Sequence, residues 1–570
     1  MSMKILRVDM TTRKTWMEDL PTELREWGNR GLIAKLLLRE VPATCEPLGP
    51  RNKLILTGGP LAGFNLSSAD RLSAGGKSPL TGGIKEANAG GEAARLLSRL
   101  GLRAIVVEGQ APAGELYLLK IEKDSAHLLR ADNFRGMGNY ALVERLRTEY
   151  GEGYGTITIG PAGERLYASA AIAISDVEGQ PSRFAARGGL GAVMGAKGLK
   201  AILISASGDY HPPVADPIAF QTARREYHQA LRNTPQTAEI YPKYGTAAVL
   251  PVMNRLGGLP TRNFTEGAFE KAQDLSGETL HDLLVERDGE GTPTHACQRG
   301  CIIRCSNIFA DPQGKAVVSP LEYETLALLG SNLGIGSLDD VARLNYLCND
   351  YGVDTIEVGA ALGVAMSAGL LSFGDVEAAV NALHELGKGT VFGRVIGQGT
   401  VVTARVLGVT RIPAVKGQAL PAHEPRVIKS MGVTYALGPQ GADHTQAIAV
   451  RQPVDHSKPE GQVELSRRLQ INQAAYDTLG FCVFTTPAVS KDPSLVINLL
   501  NAAYGTHYPP EHLQAIGREV LRTERAFNVA AGLGSHADKV PDWLRTEPLP
   551  PTGLVFDVSE EEMARFWDEV

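Results

Sequence analysis

Three cysteines, Cys297, Cys301 and Cys305, stand in a C-x3-C-x3-C run, and a fourth, Cys482, ends the segment Asp477-Thr-Leu-Gly-Phe-Cys482. Close thiolates repel one another unless a metal holds them, and Cys482 completes a set of four. Four thiolates suit a [4Fe–4S] cluster or a tetrahedral zinc. The x3 spacing is unusual for structural zinc, which prefers two close pairs. Buried thiols without metal are the third reading. At helical spacing the three thiols share one face, though Gly300 also permits a loop. Cys45 and Cys348 read as small buried hydrophobes.

Three acid-bearing groups accompany the thiols. Pro320-Leu-Glu-Tyr-Glu-Thr325 puts Glu322, Tyr323 and Glu324 in one turn. Asn349-Asp-Tyr-Gly-Val-Asp354 follows a helical pattern, and Gly441-Ala-Asp-His444 sets a histidine beside an acid. Each alone reads as readily as a cap or a turn. Paired glycines recur in Asn88-Ala-Gly-Gly91 and Arg187-Gly-Gly189, with Arg71, Lys77, Lys85, Arg183 and Lys197 among the neighbouring basic residues. Backbone N–H groups at such turns can face a phosphate, and glycine lets it approach. The plainer reading is a tight strand–helix turn.

The elements that carry these residues fall into two kinds. Residues 1 to about 210 read as short strands with Gly/Pro punctuation: Lys4–Val8, Lys53–Thr57, Leu116–Ile121 and Thr156–Ile159. Gly101-Leu-Arg-Ala-Ile and Gly198-Leu-Lys-Ala-Ile lie 97 residues apart, each after a Gly pair and a short helical stretch. This self-similarity predicts a duplicated unit with a pseudo-twofold. After a break at Gly208–Pro213, helical periodicity dominates in 339–347, 355–370, 375–386, 464–479 and 511–527. The fold class is α+β: a β-rich domain (1–210), then helical domains 211–412 and 413–570.

Composition sets the outer limits. The 570 residues are 43% hydrophobic and 21% charged, and the net charge of −6 argues against a nucleic-acid binder. There is no 18-residue apolar run and no apolar h-region near Met1, so neither a membrane span nor export is expected, and a cytoplasmic location is. Oligomerisation stays open.

Together these pieces resemble the tungsten-dependent aldehyde:ferredoxin oxidoreductase family. The resemblance rests on Lys77-Ser-Pro-Leu-Thr-Gly-Gly83, Asn88–Gly91, Ala186–Gly195, Gly258-Leu-Pro-Thr-Arg-Asn-Phe264, the cysteine cluster, Gly352–Thr355, Asp443-His444 and Asp477–Cys482. It implies a tungsten (or molybdenum) bis-pyranopterin whose phosphates are bridged by Mg2+. Arg71, Asn88, Gly90, Gly91, Arg187, Gly188 and Gly189 would hold the phosphate ends, with the carbonyls of Asn88 and Gly188 on magnesium. Asn349, Val353 and Asp354 would hold one pterin, Asp477 and Phe481 the other. Cys297, Cys301, Cys305 and Cys482 would ligate a [4Fe–4S] cluster. Glu324 and His444 match the family's proton-transfer pair.

The resemblance implies oxidation of an aldehyde to a carboxylic acid, or the reverse, with a ferredoxin or ferredoxin-like electron partner. Departures from the family pattern are the x3 spacing where the archetype has x2, Asn349 for an acid, Gln446 for a lysine, and Pro439-Gln440 for Arg-Gly. One rival is a low-potential tungsten reductase subunit resembling that of benzoyl-CoA reductase. Another is an iron–sulfur electron carrier without catalysis, which leaves the duplicated glycine cradle unexplained.

Overall fold

The computed structural model describes residues 3–570. Its first part is two six-stranded sheets. The first contains β1 (Lys4–Asp9), β2 (Lys14–Asp19), β3 (Leu54–Gly58), β4 (Leu72–Lys77), β5 (Ile84–Ala89) and β6 (Leu102–Glu108). The second contains β7 (Tyr117–Ile121), β8 (Ala126–Arg130), β9 (Tyr154–Thr158), β10 (Ile172–Ile174), β11 (Arg183–Ala185) and β12 (Leu199–Ser205). Their orders, β2-β1-β6-β3-β4-β5 and β8-β7-β12-β9-β10-β11, are the same topology. In each sheet one pair is parallel, β1 with β6 and β7 with β12, and the others are antiparallel.

The duplication reaches single residues. Both parallel pairs shift register at their start, skipping Arg103 in β6 and Lys200 in β12. These are the basic residues of the two Gly-Leu-[Arg/Lys]-Ala-Ile motifs. A bulge re-aims its residue, and both heads find backbone carbonyls. Arg103 donates to Trp27 O at 3.0 Å and Lys200 to Met137 O at 2.9 Å.

Strand alternation decides the layering. Leu6, Val8, Leu54, Leu56, Ile157, Ile172, Ile202 and Ile204 belong to one core shared by the two sheets. The opposite faces pack against equivalent helices. Helix Asn29–Glu40 covers Ile5, Ile55 and Val106, and helix Asn139–Tyr150 covers Leu118, Ala201 and Leu203. The two Gly-pair loops therefore leave corresponding strands, β5 and β11.

The rest is mainly helical, as periodicity predicts, with Leu338–Tyr351, Thr355–Ser367, Val376–Lys388, Gln462–Leu479 and His512–Ala530 matching the expected segments. One exception bears on the site. A three-stranded sheet, Thr292–His295, Ser306–Ala310 and Ala316–Val318, frames the cysteine run. Cys297 to Cys305 is thus a loop, with Gly300 at φ +73°, and not a helical face. Residues 421–443 are buried throughout. Among the described residues, no helix is long and apolar enough to cross a membrane.

Candidate active site

A cavity of about 310 Å³ opens where the two sheets meet the helical part. Its lining includes Arg71, Gly90, Cys297, Cys305, Glu324, Asn349, Val353, His444 and Cys482, residues far apart in sequence. Cys301 stands just outside the lining, its Sγ 3.4 Å from Ser68 Oγ. Burial pushes the Cys482 thiol up, against the pull of Arg71. Arg71 donates to the carbonyl of Asn88 at 3.0 Å, and its Nη1 lies 3.8 Å from Cys482 Sγ. It therefore joins the first glycine loop to the thiol set.

Cys297 and Cys301 are hydrogen-bonded to each other, but the four thiols do not gather on one point. Among the described residues, no three of these sulfurs lie within 4.8 Å of one another. Tetrahedral zinc with Zn–S of about 2.3 Å requires S···S of about 3.8 Å. A cluster, which places each thiolate on a different iron, needs a wider set than zinc does and would part Cys297 from Cys301. Glycine is required beside it: a Cβ on Gly90 would come within 2.8 Å of Cys297 Sγ.

Glu324 lies in the first turn of the short helix Tyr323–Leu328. Its Oε2 accepts the Ala422 N–H at 2.7 Å. Its Oε1 lies 3.1 Å from His423 Nδ1 and 3.6 Å from His444 Nε2. The His423 approach is outside hydrogen-bond geometry. Glu324 Oε1, His423 Nδ1 and His444 Nδ1 are therefore buried polar atoms without a hydrogen-bond partner in the protein. Such atoms are costly unless a ligand or water satisfies them.

The two imidazoles stack 5.6 Å apart at 15°. Tyr323, edge-on to His423, donates its hydroxyl to the Ala422 carbonyl, and Tyr435 donates to the His423 carbonyl at 3.3 Å. Burial pushes the Glu324 carboxyl up, but His444, His423 and the Ala422 N–H together outweigh it and hold it at about 2. Burial pulls His444 below its ordinary value, partly offset by Glu324. At neutral pH the arrangement is a carboxylate beside a neutral His444.

His423 is not singled out by the sequence. It sits in Pro421-Ala-His-Glu-Pro425, a run whose prolines suggest an exposed connection. Instead the loop is buried, and both backbone polar groups of Ala422 are used to orient the site. The one available signal is a histidine between prolines near a candidate acid.

The remaining expected residues lie behind the cavity, outside its lining: Asn88, Gly91, Arg187, Gly188, Gly189, Asp354, Asp477 and Phe481. The Gly91 N–H donates to the Cys297 carbonyl at 2.9 Å. Gly188 and Gly189 have φ of +85° and +73°, and a Cβ on Gly188 would strike the Lys85 side chain. The Gly188 carbonyl accepts from Ser78 Oγ at 2.8 Å. Asp477 is held by Arg30 at 3.2 Å and Gln473 at 2.7 Å, and Phe481 packs edge-on to Tyr227.

Arg187 spends three of its five N–H donors within the protein, on Asp354 Oδ2 (3.2 Å), the Ala442 carbonyl (2.6 Å) and the Ala419 carbonyl (2.8 Å). Asp354 in turn caps helix Thr355–Ser367 through the Ile356 N–H. We predict that Arg187→Met costs about 3–5 kcal/mol, because Asp354 and Glu357 lose their buried countercharge. Denaturant unfolding of cofactor-depleted protein measures this. Unchanged unfolding with weakened cofactor retention would assign Arg187 to phosphate binding alone.

Comparison with known proteins places this geometry. Residues 5–206 match the family described as "Aldehyde ferredoxin oxidoreductase, N-terminal domain", and residues 222–569 match "Aldehyde ferredoxin oxidoreductase, domains 2 & 3". The chain belongs to the aldehyde ferredoxin oxidoreductase family. The tungsten-containing aldehyde ferredoxin oxidoreductases of Pyrococcus furiosus and Thermococcus kodakarensis are each 33% identical to it. Each alignment spans 96% of this chain and 92% of the relative. A chain of the benzoyl coenzyme A reductase active-site complex, solved with 1,5-dienoyl-CoA, superposes with a TM-score of 0.80 at 19% identity. It covers 99% of this chain and 93% of that one. This second likeness establishes the family fold and nothing finer.

Proposed function

We propose that this family member oxidises aldehydes to carboxylic acids, passing electrons to a ferredoxin or ferredoxin-like partner. The observation that carries the reading is the convergence of Glu324, His423 and His444, with unpartnered buried atoms, on the cavity that Cys297, Cys305 and Cys482 also line. The tungsten-containing relatives support tungsten, with molybdenum as the alternative; two pyranopterins would hold it, with Mg2+ beside them. The four cysteines would hold a [4Fe–4S] cluster, with Asn349, Val353, Asp354, Asp477 and Phe481 toward the pterins. Bound there, the metal–pterin group supplies the two-electron oxidation and the cluster passes electrons on singly.

The protein's own part is proton handling. Aldehyde plus water gives carboxylic acid, two protons and two electrons. Glu324, ionised at neutral pH and anchored through Oε2, presents Oε1 to take a proton from water or from the aldehyde hydrate. His444, with an imidazole N–H, donates toward the carbonyl oxygen. His423 touches Glu324 and stacks on His444, so it positions both.

Anaerobically purified protein should contain tungsten or molybdenum together with iron, and should reduce a viologen in the presence of an aldehyde. Iron alone, with no aldehyde oxidation, would support the electron-carrier reading. Ring reduction of an aromatic thioester in place of aldehyde oxidation would support the reductase reading.

The pH profile separates the histidines. Glu324 stays ionised down to about pH 2, so the acid limb of kcat/KM reports His444, below pH 6.5. His423, stacked on His444, lowers it, so His423→Gln should move that limb to higher pH. An unmoved limb would leave His423 a packing residue.

A further inference from the structure

Three arginines line the cavity: Arg71, Arg183 and Arg451. Arg71 is hydrogen-bonded to Asn88, and Arg183 to Ser182, Ser306 and Ser319. Arg451 differs from both. Among the described residues it has no ion pair and no hydrogen-bonded side-chain partner; its guanidinium lies over the face of Tyr241, 4.6 Å from guanidinium carbon to ring centroid. Stacking fixes the plane of a guanidinium and leaves its edge, the fork that matches a carboxylate, unused.

Arg451 is exposed yet lines the cavity, which puts it at the mouth. Protein crowds it on its other sides, and this desolvation, with no acid near enough to offset it, pulls the guanidinium down to about 10. A cation in this condition gains from any anion that arrives. The nearby walls are apolar: Val249, Ile448, Val450 and Phe484. The cavity thus offers proton-transfer groups, a hydrocarbon-lined passage, and one unpaired cation beyond it.

Building on the aldehyde reading, we propose that the substrate is an aldehyde bearing a carboxylate at the far end of a short hydrocarbon chain, and that Arg451 binds this carboxylate. The product is then a dicarboxylate. A single guanidinium among apolar neighbours suits a monoanion. A phosphate dianion is ordinarily met by several donors.

The test compares an aldehyde ending in a carboxylate with the same chain ending in a neutral carboxamide, for holoenzyme and for Arg451→Gln. In wild type the carboxylate should be favoured in kcat/KM by about tenfold to a hundredfold, the range of a charge-assisted contact, expressed mainly in KM. In Arg451→Gln the ratio should fall toward one. A wild-type ratio near one, or a ratio that survives the substitution, overturns the proposal. Stronger preference for a phosphate-tailed aldehyde overturns the carboxylate assignment.

If metal-loaded enzyme oxidises neither aldehyde, the functional reading fails, and calorimetry with the matching dicarboxylate still decides this inference. Binding by wild type that is lost in Arg451→Gln supports it, and no binding by wild type overturns it.

Discussion

Glutamine at position 324 should cut aldehyde turnover by about 10²–10⁴-fold, the usual worth of a positioned general base, with metal and iron content at wild-type level. The side chain keeps its shape, and an amide oxygen can still accept the Ala422 N–H that anchors Oε2 at 2.7 Å. The basic oxygen facing the two imidazoles is what disappears. Removing the carboxylate also removes the group that raises His444, so the acid limb of the residual activity should move to lower pH. That shift is the opposite of the one expected for His423→Gln. A residue that only shaped the cavity would produce neither.

Stability separates a catalytic from a structural role at the same position. Glu324 has its carboxyl depressed from an ordinary 4.5 to about 2. Its ionised form therefore stabilises the fold above pH 4.5, and this contribution drains away as pH falls toward 2. The stability gap between wild type and Glu324→Gln should narrow over that window, read by denaturant unfolding at each pH. Full metal loading with near wild-type turnover would remove Glu324 from the mechanism. Simultaneous loss of metal and turnover would reassign it to structure.

The β-rich N-terminal domain was legible because its signals are local. A Gly-Leu-[Arg/Lys]-Ala-Ile motif seen twice predicts a duplication, and the two sheets carry it down to the bulge at Arg103 and Lys200. Helices such as Leu338–Tyr351 declare themselves by period. The small sheet around the cysteines did not. Its strands are three to five residues long, too short for alternation to register, and the loop between them depends on Gly300 adopting a positive φ.

The site was legible in proportion to how far its residues act alone. Glu324, His444 and the cysteines belong to recognisable motifs, and the fold brings all of them but Cys301 to the lining of one cavity. His423 belongs to none, because its role comes from burial of a proline-flanked loop, a tertiary outcome. Arg187 shows the converse. Its place beside a Gly pair suggests phosphate, and the structure adds Asp354 and two carbonyls, partners more than 150 residues downstream that no local pattern announces. Local sequence reports which groups are available. It does not report which distant groups claim them first.

Alanine at position 482 should abolish the cluster while leaving the two sheets folded. The thiol is held by backbone, so the substitution removes a ligand without moving the chain. Helix Gln462–Leu479 ends on Gly480 at φ +87°, the Phe481 N–H closes back on the Tyr476 carbonyl at 3.0 Å, and the Cys482 N–H donates to the Ser68 carbonyl at 2.8 Å. None of these bonds needs the sulfur. Iron should fall well below the about four per chain of an intact cluster, visible absorption and EPR of the cluster should vanish, and electron delivery to a low-potential acceptor should fail. Circular dichroism of the sheets should persist, since their shared core contains no cluster cysteine. Cys348→Ala is the matched control: that thiol is fully buried in the helical core, where burial pushes it up, and its loss should leave iron content unchanged. If Cys482→Ala kept about four irons per chain, the four-cysteine assignment would fall and another residue would have to supply the ligand. If both variants lost iron equally, the loss would reflect disruption of the helical core, not ligation, and the four-cysteine assignment would lose its support.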